Sequence, residues 1–148
     1  MDATKEEKVP LAQRFAQVFG IIYLLVGILG FIPVAPFLVG NIPAVIGPFD
    51  GFLLGIFAVN WLHNLAHIAI GAAGLASYRS LSGARSYCLA IGVIYLILFL
   101  LGLIAPTVGG LIPLNPADNI LHLLTGGLAL GAYFASPQRA IDPRGPRL

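Results

Sequence analysis

The stretch "NWLHNLAHIAIGAAGLASY", residues 60–78, carries polar side chains inside an apolar segment of helical length. Its asparagines and histidines are Asn60, His63, Asn64 and His67. The last two continue into Gly71 and Gly74 at spacings of three and four residues, which places them on one face of an α-helix. Because polar side chains are costly at the depth of a lipid bilayer, this stripe requires an explanation.

The same pattern occurs a second time in "NPADNILHLLTGGLALGAY", residues 115–133. Aligned without a gap, the two stretches share Asn60/Asn115, Asn64/Asn119, His67/His122, Gly71/Gly126, Leu75/Leu130 and Tyr78/Tyr133. Two further segments, "GIIYLLVGILGFI" (20–32) and "GVIYLILFLLGLI" (92–104), share Gly20/Gly92, Tyr23/Tyr95 and Gly30/Gly102. This self-similarity predicts two helical hairpins of one design.

The composition of the chain is that of a membrane protein. Hydrophobic residues make up 58% and charged residues 9%, and the mean hydropathy is +0.93, whereas a soluble domain carries roughly 25% charged residues. Four apolar segments, each close to the roughly 20 residues that cross a bilayer, lie at 15–32, 61–78, 84–104 and 116–134. The predicted fold is therefore an all-α integral membrane protein with four transmembrane helices.

The positions of the basic residues predict the orientation of these helices. Lysines and arginines occur in three places: an N-terminal arm (Lys5, Lys8, Arg14), the central connection (Arg79, Arg85) and a C-terminal tail (Arg139, Arg144, Arg147). By the positive-inside rule, both termini and the central connection face the cytoplasm. The two hairpins then run in the same direction, as parallel repeats related by a pseudo-two-fold axis along the membrane normal. Basic residues spread along a membrane edge do not indicate nucleic-acid binding.

The predicted organisation is one transmembrane domain between two cytoplasmic extensions. Its parts are an arm at 1–14, a domain at 15–134 with repeats at 15–78 and 84–134, and a tail at 135–148. The outer connection of the first repeat, 33–59, is long and apolar. It is predicted to cover the bundle or to contact a partner, and its segment "FDGFLLGIFAV" (49–59) is compatible with a short interfacial helix.

Helix initiation explains the first polar residue of each repeat. Asn60 and Asn115 are predicted to be N-caps, because each precedes a long apolar segment. Pro116 falls at the first helical position, and Asp118 falls at the third, where a carboxylate completes a capping box. His63 occupies the same third position in the first repeat.

The inner stripes of the two repeats predict close helix packing. Small residues let helices approach in lipid, and polar residues hydrogen-bond across the contact. At about 1.5 Å per residue, His67 and His122 lie roughly 10 Å below their N-caps, at matched depth. The structural interpretation is an Asn–His hydrogen-bonded clamp that fixes the hairpins in register. Its polar cluster comprises Asn60, Asn64, Asn115, Asn119, Gly71 and Gly126.

Two ligand-binding interpretations remain open beside the structural one. His67 and His122, on two helices of a bundle, are suited to ligate haem iron axially, or one of them the magnesium of a chlorophyll-type pigment. Such a tetrapyrrole would be bound non-covalently, since no haem-attachment motif is present. Alternatively, the H-x-x-x-H and D-x-x-x-H spacings suggest a metal site formed by His63, His67, Asp118 and His122.

The sequence contains no catalytic motif of a familiar kind, and no membrane-embedded charge typical of carriers apart from Asp118 near the interface. We therefore expect a non-enzymatic structural or accessory subunit. It would contact lipid, and would form a homo-oligomer or join a larger membrane complex, with 33–59 as the candidate contact segment.

The repeated motif also carries a family resemblance. "GIFAVNWLHNLAHIAIGAAGL" followed by "PLNPADNILHLLTGG" resembles a widespread bacterial family of small four-helix membrane proteins, catalogued as a domain of unknown function. The resemblance covers residues 15–133 and includes Asn60, His63, Asn64, His67, Gly71, Asp118, Asn119, His122 and Gly126. It implies a multi-pass protein of the bacterial inner membrane, and it implies no activity, substrate or cofactor.

Overall fold

The computed structural model describes residues 9–32, 38–40 and 49–138. Most of the predicted cytoplasmic arm and tail, and much of the connection 33–59, lie outside these residues. The described chain is mostly helical, and its four helices are α1 (Leu11–Leu29), α2 (Trp61–Ser77), α3 (Leu81–Gly102) and α4 (Pro116–Ala135). All four helical segments are thus confirmed. Helices α1 and α3 are long and apolar enough to cross a membrane.

The helices pack as two antiparallel hairpins, α1 with α2 and α3 with α4. Glycines make this packing close. A Cβ atom added to Gly71 in α2 would overlap with the backbone of Leu24 in α1. One added to Gly126 in α4 would lie 3.2 Å from the carbonyl oxygen of Gly92 in α3. The predicted small-residue contacts therefore occur in both hairpins.

The two outer connections form β-structure. The strands are β1 (Leu38–Val39), β2 (Gly51–Leu53), β3 (Phe57–Val59), β4 (Thr107–Val108) and β5 (Ile112–Pro113). Strands β1, β2 and β3 form an antiparallel sheet in that order, and β4 pairs with β5. The prediction of a short interfacial helix at 49–59 is therefore wrong.

Each hairpin has a three-residue connection, 54–56 or 109–111, whose first two residues have positive φ. Leu54 and Gly55 have φ of 53° and 73°, and Gly109 and Gly110 have φ of 59° and 74°. Positive φ at both central residues defines the type I′ turn, whose twist matches that of paired strands. Each turn is closed by a backbone hydrogen bond, of 3.1 Å after β2 and 3.0 Å after β4.

The polarity of the bundle is reversed relative to a soluble protein. Its helices expose large apolar side chains, such as Leu100, Ile120 and Leu128, each at 60% or more. Its buried polar residues are Asn60, His63, Asn64, His67, Asp118, Asn119, His122, Thr125 and Ser136. An apolar core of small and aromatic residues, among them Ala16, Tyr87 and Cys88, fills the end of the bundle away from the β-hairpins. Apart from Ser136, which follows α4 at the opposite end, these polar side chains lie in the half of the bundle nearer the β-hairpins.

Candidate functional site: a buried polar cluster beneath the β-hairpins

The first residue of each polar stripe begins its helix as predicted. The side-chain oxygen of Asn60 accepts a hydrogen bond from the backbone N–H of His63 at 2.9 Å. In α4, Asn115 accepts from the N–H of Asp118 at 2.8 Å, and Asp118 accepts from the N–H of Asn115 at 3.0 Å. Pro116 stands at the start of the helix. Both N-caps and the capping box are confirmed.

The same two asparagines also join the hairpins to each other. The side-chain amide of Asn60 donates to the carbonyl oxygen of Leu111 at 2.7 Å, and that of Asn115 donates to the carbonyl oxygen of Ile56 at 2.7 Å. In the chain, Ile56 lies four residues before Asn60, and Leu111 lies four residues before Asn115. Each follows a type I′ turn. Each N-cap of one repeat therefore binds the turn of the other.

The second asparagine of each stripe contacts its own hairpin. Asn64 donates to the carbonyl oxygen of Gly30 at 2.8 Å, at the end of α1. A Cβ atom on Gly30 would overlap with the Asn64 side chain, and one on Gly102 would overlap with the Asn119 side chain. Within the described part of the chain, the side-chain oxygens of Asn64 and Asn119 have no hydrogen-bond partner, and the predicted Asn–His clamp stays a prediction. At this end of the bundle, Asn60 and Asn115 form hydrogen bonds between the hairpins.

The three histidines are buried close to one another. His63 donates from Nδ1 to the carbonyl oxygen of Ala58 at 3.0 Å, and its ring centroid lies 4.4 Å from that of His67. In the part of the chain that the structure describes, Nδ1 of His67 and Nδ1 of His122 have no hydrogen-bond partner. Only one of the three imidazoles is therefore fixed by an identified hydrogen bond at Nδ1.

Two tyrosines complete the cluster. The ring of Tyr23 in α1 packs edge-on against His67 at 5.0 Å, and that of Tyr95 in α3 packs edge-on against His122 at 5.3 Å. The two tyrosine rings also contact each other at 5.7 Å. Aromatic contacts thus run continuously from one histidine to the other, through equivalent residues of the two repeats.

A cavity of about 390 Å³ lies against this cluster, between α1, α4 and the β2–β3 hairpin. Its polar lining residues are Tyr23, His63, His67, Asp118, His122 and Thr125. The structure therefore brings all four residues of the predicted metal site, and both histidines of the predicted cofactor site, to the wall of one cavity.

One known family model matches most of the chain. The family model described as "Domain of unknown function (DUF4383)" matches residues 13–135. The chain belongs to the DUF4383 family. Searches of curated proteins and of solved structures found no match to the chain. The DUF4383 match includes all four helices, both β-hairpins and the polar cluster.

The carboxyl group of Asp118 and the three imidazoles of this DUF4383 protein line one cavity. Among the described residues, no group of three or more His, Cys, Asp or Glu side chains is arranged to hold a metal ion. Asp118 is engaged with the backbone of Asn115, and His63 with that of Ala58. The geometry therefore gives the metal hypothesis no support, and it stays a prediction.

The sequence did not identify two polar residues that line the DUF4383 cavity, Tyr23 and Thr125. The repeat alignment pairs Tyr23 with Tyr95, which indicated that a tyrosine belongs to each hairpin. Thr125 carried a subtler signal, because it replaces Ile70 within otherwise similar helices. Its significance depends on the cavity, which only the three-dimensional arrangement shows.

Proposed function

We propose that this DUF4383 protein is a four-span protein of the bacterial cytoplasmic membrane, with both termini in the cytoplasm. We propose that it acts without enzymatic activity, as an accessory subunit of a larger membrane assembly. The observation that carries the proposal is the reversed polarity of the bundle.

Helices α2 and α4 carry this reversed polarity. In α4, Ile120 and Leu128 are exposed while Asn119 and His122 are buried, and in α2 Leu65 is exposed while Asn64 is fully buried. Water would select the opposite arrangement, whereas lipid requires polar groups to be satisfied inside the protein. The helices have 17 to 22 residues, or about 25 to 33 Å at 1.5 Å per residue. That length suits a hydrocarbon layer of about 30 Å.

The ends of the bundle support the proposed orientation. Arg79 and Arg85 lie at the α2–α3 connection, and Arg14 lies in the first turns of α1. Arg85 donates to the carbonyl oxygen of Tyr133 at 2.7 Å, near the end of α4. These basic residues share the end opposite to the β-hairpins, as the positive-inside rule requires for a cytoplasmic face.

Equivalent contacts support two parallel repeats related by a pseudo-two-fold axis. The reciprocal hydrogen bonds of Asn60 and Asn115 and the two tyrosine–histidine contacts use residues that the repeat alignment pairs. The overlap of Gly30 with Asn64 has its counterpart at Gly102 with Asn119. If one hairpin is a duplicate of the other, a two-fold rotation should superimpose each contact of the first repeat on the equivalent contact of the second.

The proposed accessory role is tested by gentle extraction. The apolar outer faces of the helices are suited to bind lipid, a second copy, or another membrane protein. Extraction in a mild detergent followed by native mass spectrometry should yield an assembly heavier than the 15.6 kDa chain. Recovery of a stable single chain across several mild detergents would contradict this role.

A second candidate function is cofactor binding through His67 and His122. It is favoured by their burial and by the absence of a partner at either Nδ1. However, each imidazole packs against a tyrosine. The cavity of about 390 Å³ is at the small end of the roughly 300–1,000 Å³ typical of ligand sites. This volume favours a ligand smaller than a tetrapyrrole.

The visible absorption spectrum of the purified protein tests the tetrapyrrole directly. A Soret or Qy band that disappears in His67→Ala or His122→Ala would support it. A colourless protein purified from cells that produce both haem and the pigment would exclude it.

A further inference from the structure

The cavity beside the histidines combines apolar walls with a polar inner end. Its walls include Phe19 and Ile22 of α1 and Leu124 and Leu128 of α4. At its inner end lie the imidazoles and the hydroxyl-bearing side chains of Tyr23 and Thr125. An apolar enclosure with a few convergent polar groups is the usual form of a small-molecule site.

Several polar atoms at this inner end have no hydrogen-bond partner among the described residues. Tyr23 is 4% exposed, and its hydroxyl is buried without a hydrogen bond. The hydroxyls of Tyr95 and Thr125 lie near it, but neither forms a bond of normal geometry with it. Nδ1 of His67 and of His122 are likewise unpaired. Because buried polar groups are normally hydrogen-bonded, this concentration at one cavity indicates a missing partner.

The opening of the cavity faces the side of the bundle. Ile22, Leu124 and Leu128 line the cavity and are also about half to two-thirds exposed, at 49%, 57% and 66%. They belong to the middle turns of α1 and α4. If the helices span the membrane, as proposed above, the part of the opening between α1 and α4 meets lipid tails. Leu54 also lines the cavity and is 49% exposed, so the rim extends to the β2–β3 turn.

Among the described residues, the space related to this cavity by the repeat is much smaller. The equivalent cavity, lined by Tyr95 and the α2–α3 face, measures about 70 Å³. There Ile70 stands where the larger cavity has Thr125. The exchange of isoleucine for threonine removes apolar bulk and adds a hydroxyl, so one side of the pseudo-symmetric pair is specialised.

We propose that the larger cavity binds one neutral lipophilic molecule that carries an oxygen at its polar end and enters from the bilayer. The oxygen hydrogen-bonds with the Tyr23 hydroxyl and a neighbouring imidazole, and the apolar part lies between α1 and α4. This inference rests on the proposed membrane location. The shared chemistry is a carbonyl or hydroxyl on an apolar body, as found in a quinone or in a long-chain alcohol.

Binding is tested on the full chain purified in detergent, so that the result does not depend on topology or on a partner subunit. Three probes are added separately: decylubiquinone for the carbonyl, dodecanol for the hydroxyl, and dodecane for bulk partition into the micelle. Apparent dissociation constants are obtained from the rise of the melting temperature with probe concentration, followed by circular dichroism. We expect saturable stabilisation by at least one oxygen-bearing probe and none by dodecane.

Matched tyrosine variants test the polar end. Tyr23→Phe removes an unpaired hydroxyl and should preserve the fold, while weakening binding by roughly threefold to tenfold, the usual effect of one hydrogen bond. Tyr95→Phe makes the same change at the equivalent residue outside the larger cavity and should leave affinity within about twofold of the parent. Thr125→Ile, which copies the residue of the other repeat, should abolish saturable binding.

Each outcome decides the proposal. Stabilisation by decylubiquinone alone supports a quinone-type carbonyl, and stabilisation by dodecanol alone supports an alcohol. Equal saturable binding of dodecane would overturn recognition of the oxygen, as would equal weakening by Tyr23→Phe and Tyr95→Phe. Absence of saturable stabilisation by both oxygen-bearing probes would overturn the site. None of these negative results would contradict the four-span arrangement, which separate labelling tests.

Discussion

Substitution of Asn60 by alanine removes two different interactions through one side chain. Its oxygen caps α2 by accepting from the N–H of His63 at 2.9 Å, and its amide donates across the bundle to the carbonyl oxygen of Leu111 at 2.7 Å. The residue is 1% exposed, so water does not replace the lost donor easily. Asn60→Ala is therefore expected to cost more than an ordinary N-cap.

The expected magnitude follows from adding the two interactions. Loss of an N-cap typically costs about 1 kcal/mol, and loss of an intramolecular hydrogen bond costs about 1 kcal/mol more. Asn60→Ala should thus lower the free energy of unfolding by about 2 kcal/mol. Asn60→Ser, which retains a capping oxygen but lacks the long amide, should lose about 1 kcal/mol, since only the cross-bundle bond is removed.

Reversible unfolding of the detergent-solubilised protein, followed by circular dichroism, measures these differences. The matched control is Ser80→Ala, because Ser80 caps α3 through Gly83 at 3.1 Å and makes no cross-bundle bond among those identified in the described residues. It should lose about 1 kcal/mol or less. If Asn60→Ala cost no more than Ser80→Ala, the proposed role of Asn60 in joining the hairpins would be refuted.

Three further predictions concern packing and accessibility. Gly102→Ala should lower the free energy of unfolding by about 1–3 kcal/mol, because the added Cβ overlaps with the Asn119 side chain. In the same unfolding assay, Gly127→Ala should be neutral or stabilising, since nothing lies within 4 Å of its added Cβ. Equal losses in the two variants would contradict the close contact at Gly102. Arg85→Gln should lower stability by about 1–2 kcal/mol, since Arg85 donates to carbonyl oxygens at the end of α4, and an unchanged unfolding curve would contradict this role. Cys88 is fully buried and forms no disulfide, so a maleimide should modify it only after unfolding, as measured by intact mass. Rapid modification of the folded protein would contradict its burial.

The helices and their starts could be predicted because their determinants are local. The apolar segments define four helices, and the cap at Asn60 and the capping box of Asn115 and Asp118 depend on neighbours within three residues. Such short-range rules operate before any tertiary contact forms.

The turn sequences of the two β-hairpins are a local signal for strand pairing, but they lie within apolar segments. Leu54-Gly55 and Gly109-Gly110 occupy type I′ turns, and a Gly-Gly pair between short apolar segments is a recognised hairpin sequence. The apolar sequence of 49–59 was also compatible with a short interfacial helix. The positive-φ turn at Leu54 and Gly55 explains why the segment forms a hairpin.

The partners of the polar side chains could not be predicted, because they come from distant parts of the chain. Asn60 binds a residue 51 positions away, and Asn64 binds one 34 positions away. The repeat showed that the two stripes were equivalent, but it left open which atoms meet. The cavity likewise depends on α1 and α4 facing each other at Thr125, while Ile70 fills the equivalent space.

Cysteine labelling in intact spheroplasts tests the four-span arrangement most directly. In a Cys88→Ser background, single cysteines at exposed positions sample every end of every helix: Val9, Ile56, Ser82, Leu111 and Gln138. A membrane-impermeant maleimide should label positions 56 and 111 without permeabilisation, and positions 9, 82 and 138 only after it. Labelling of all five positions in intact spheroplasts, or of 82 together with 111, would contradict a bundle whose helices cross the membrane four times.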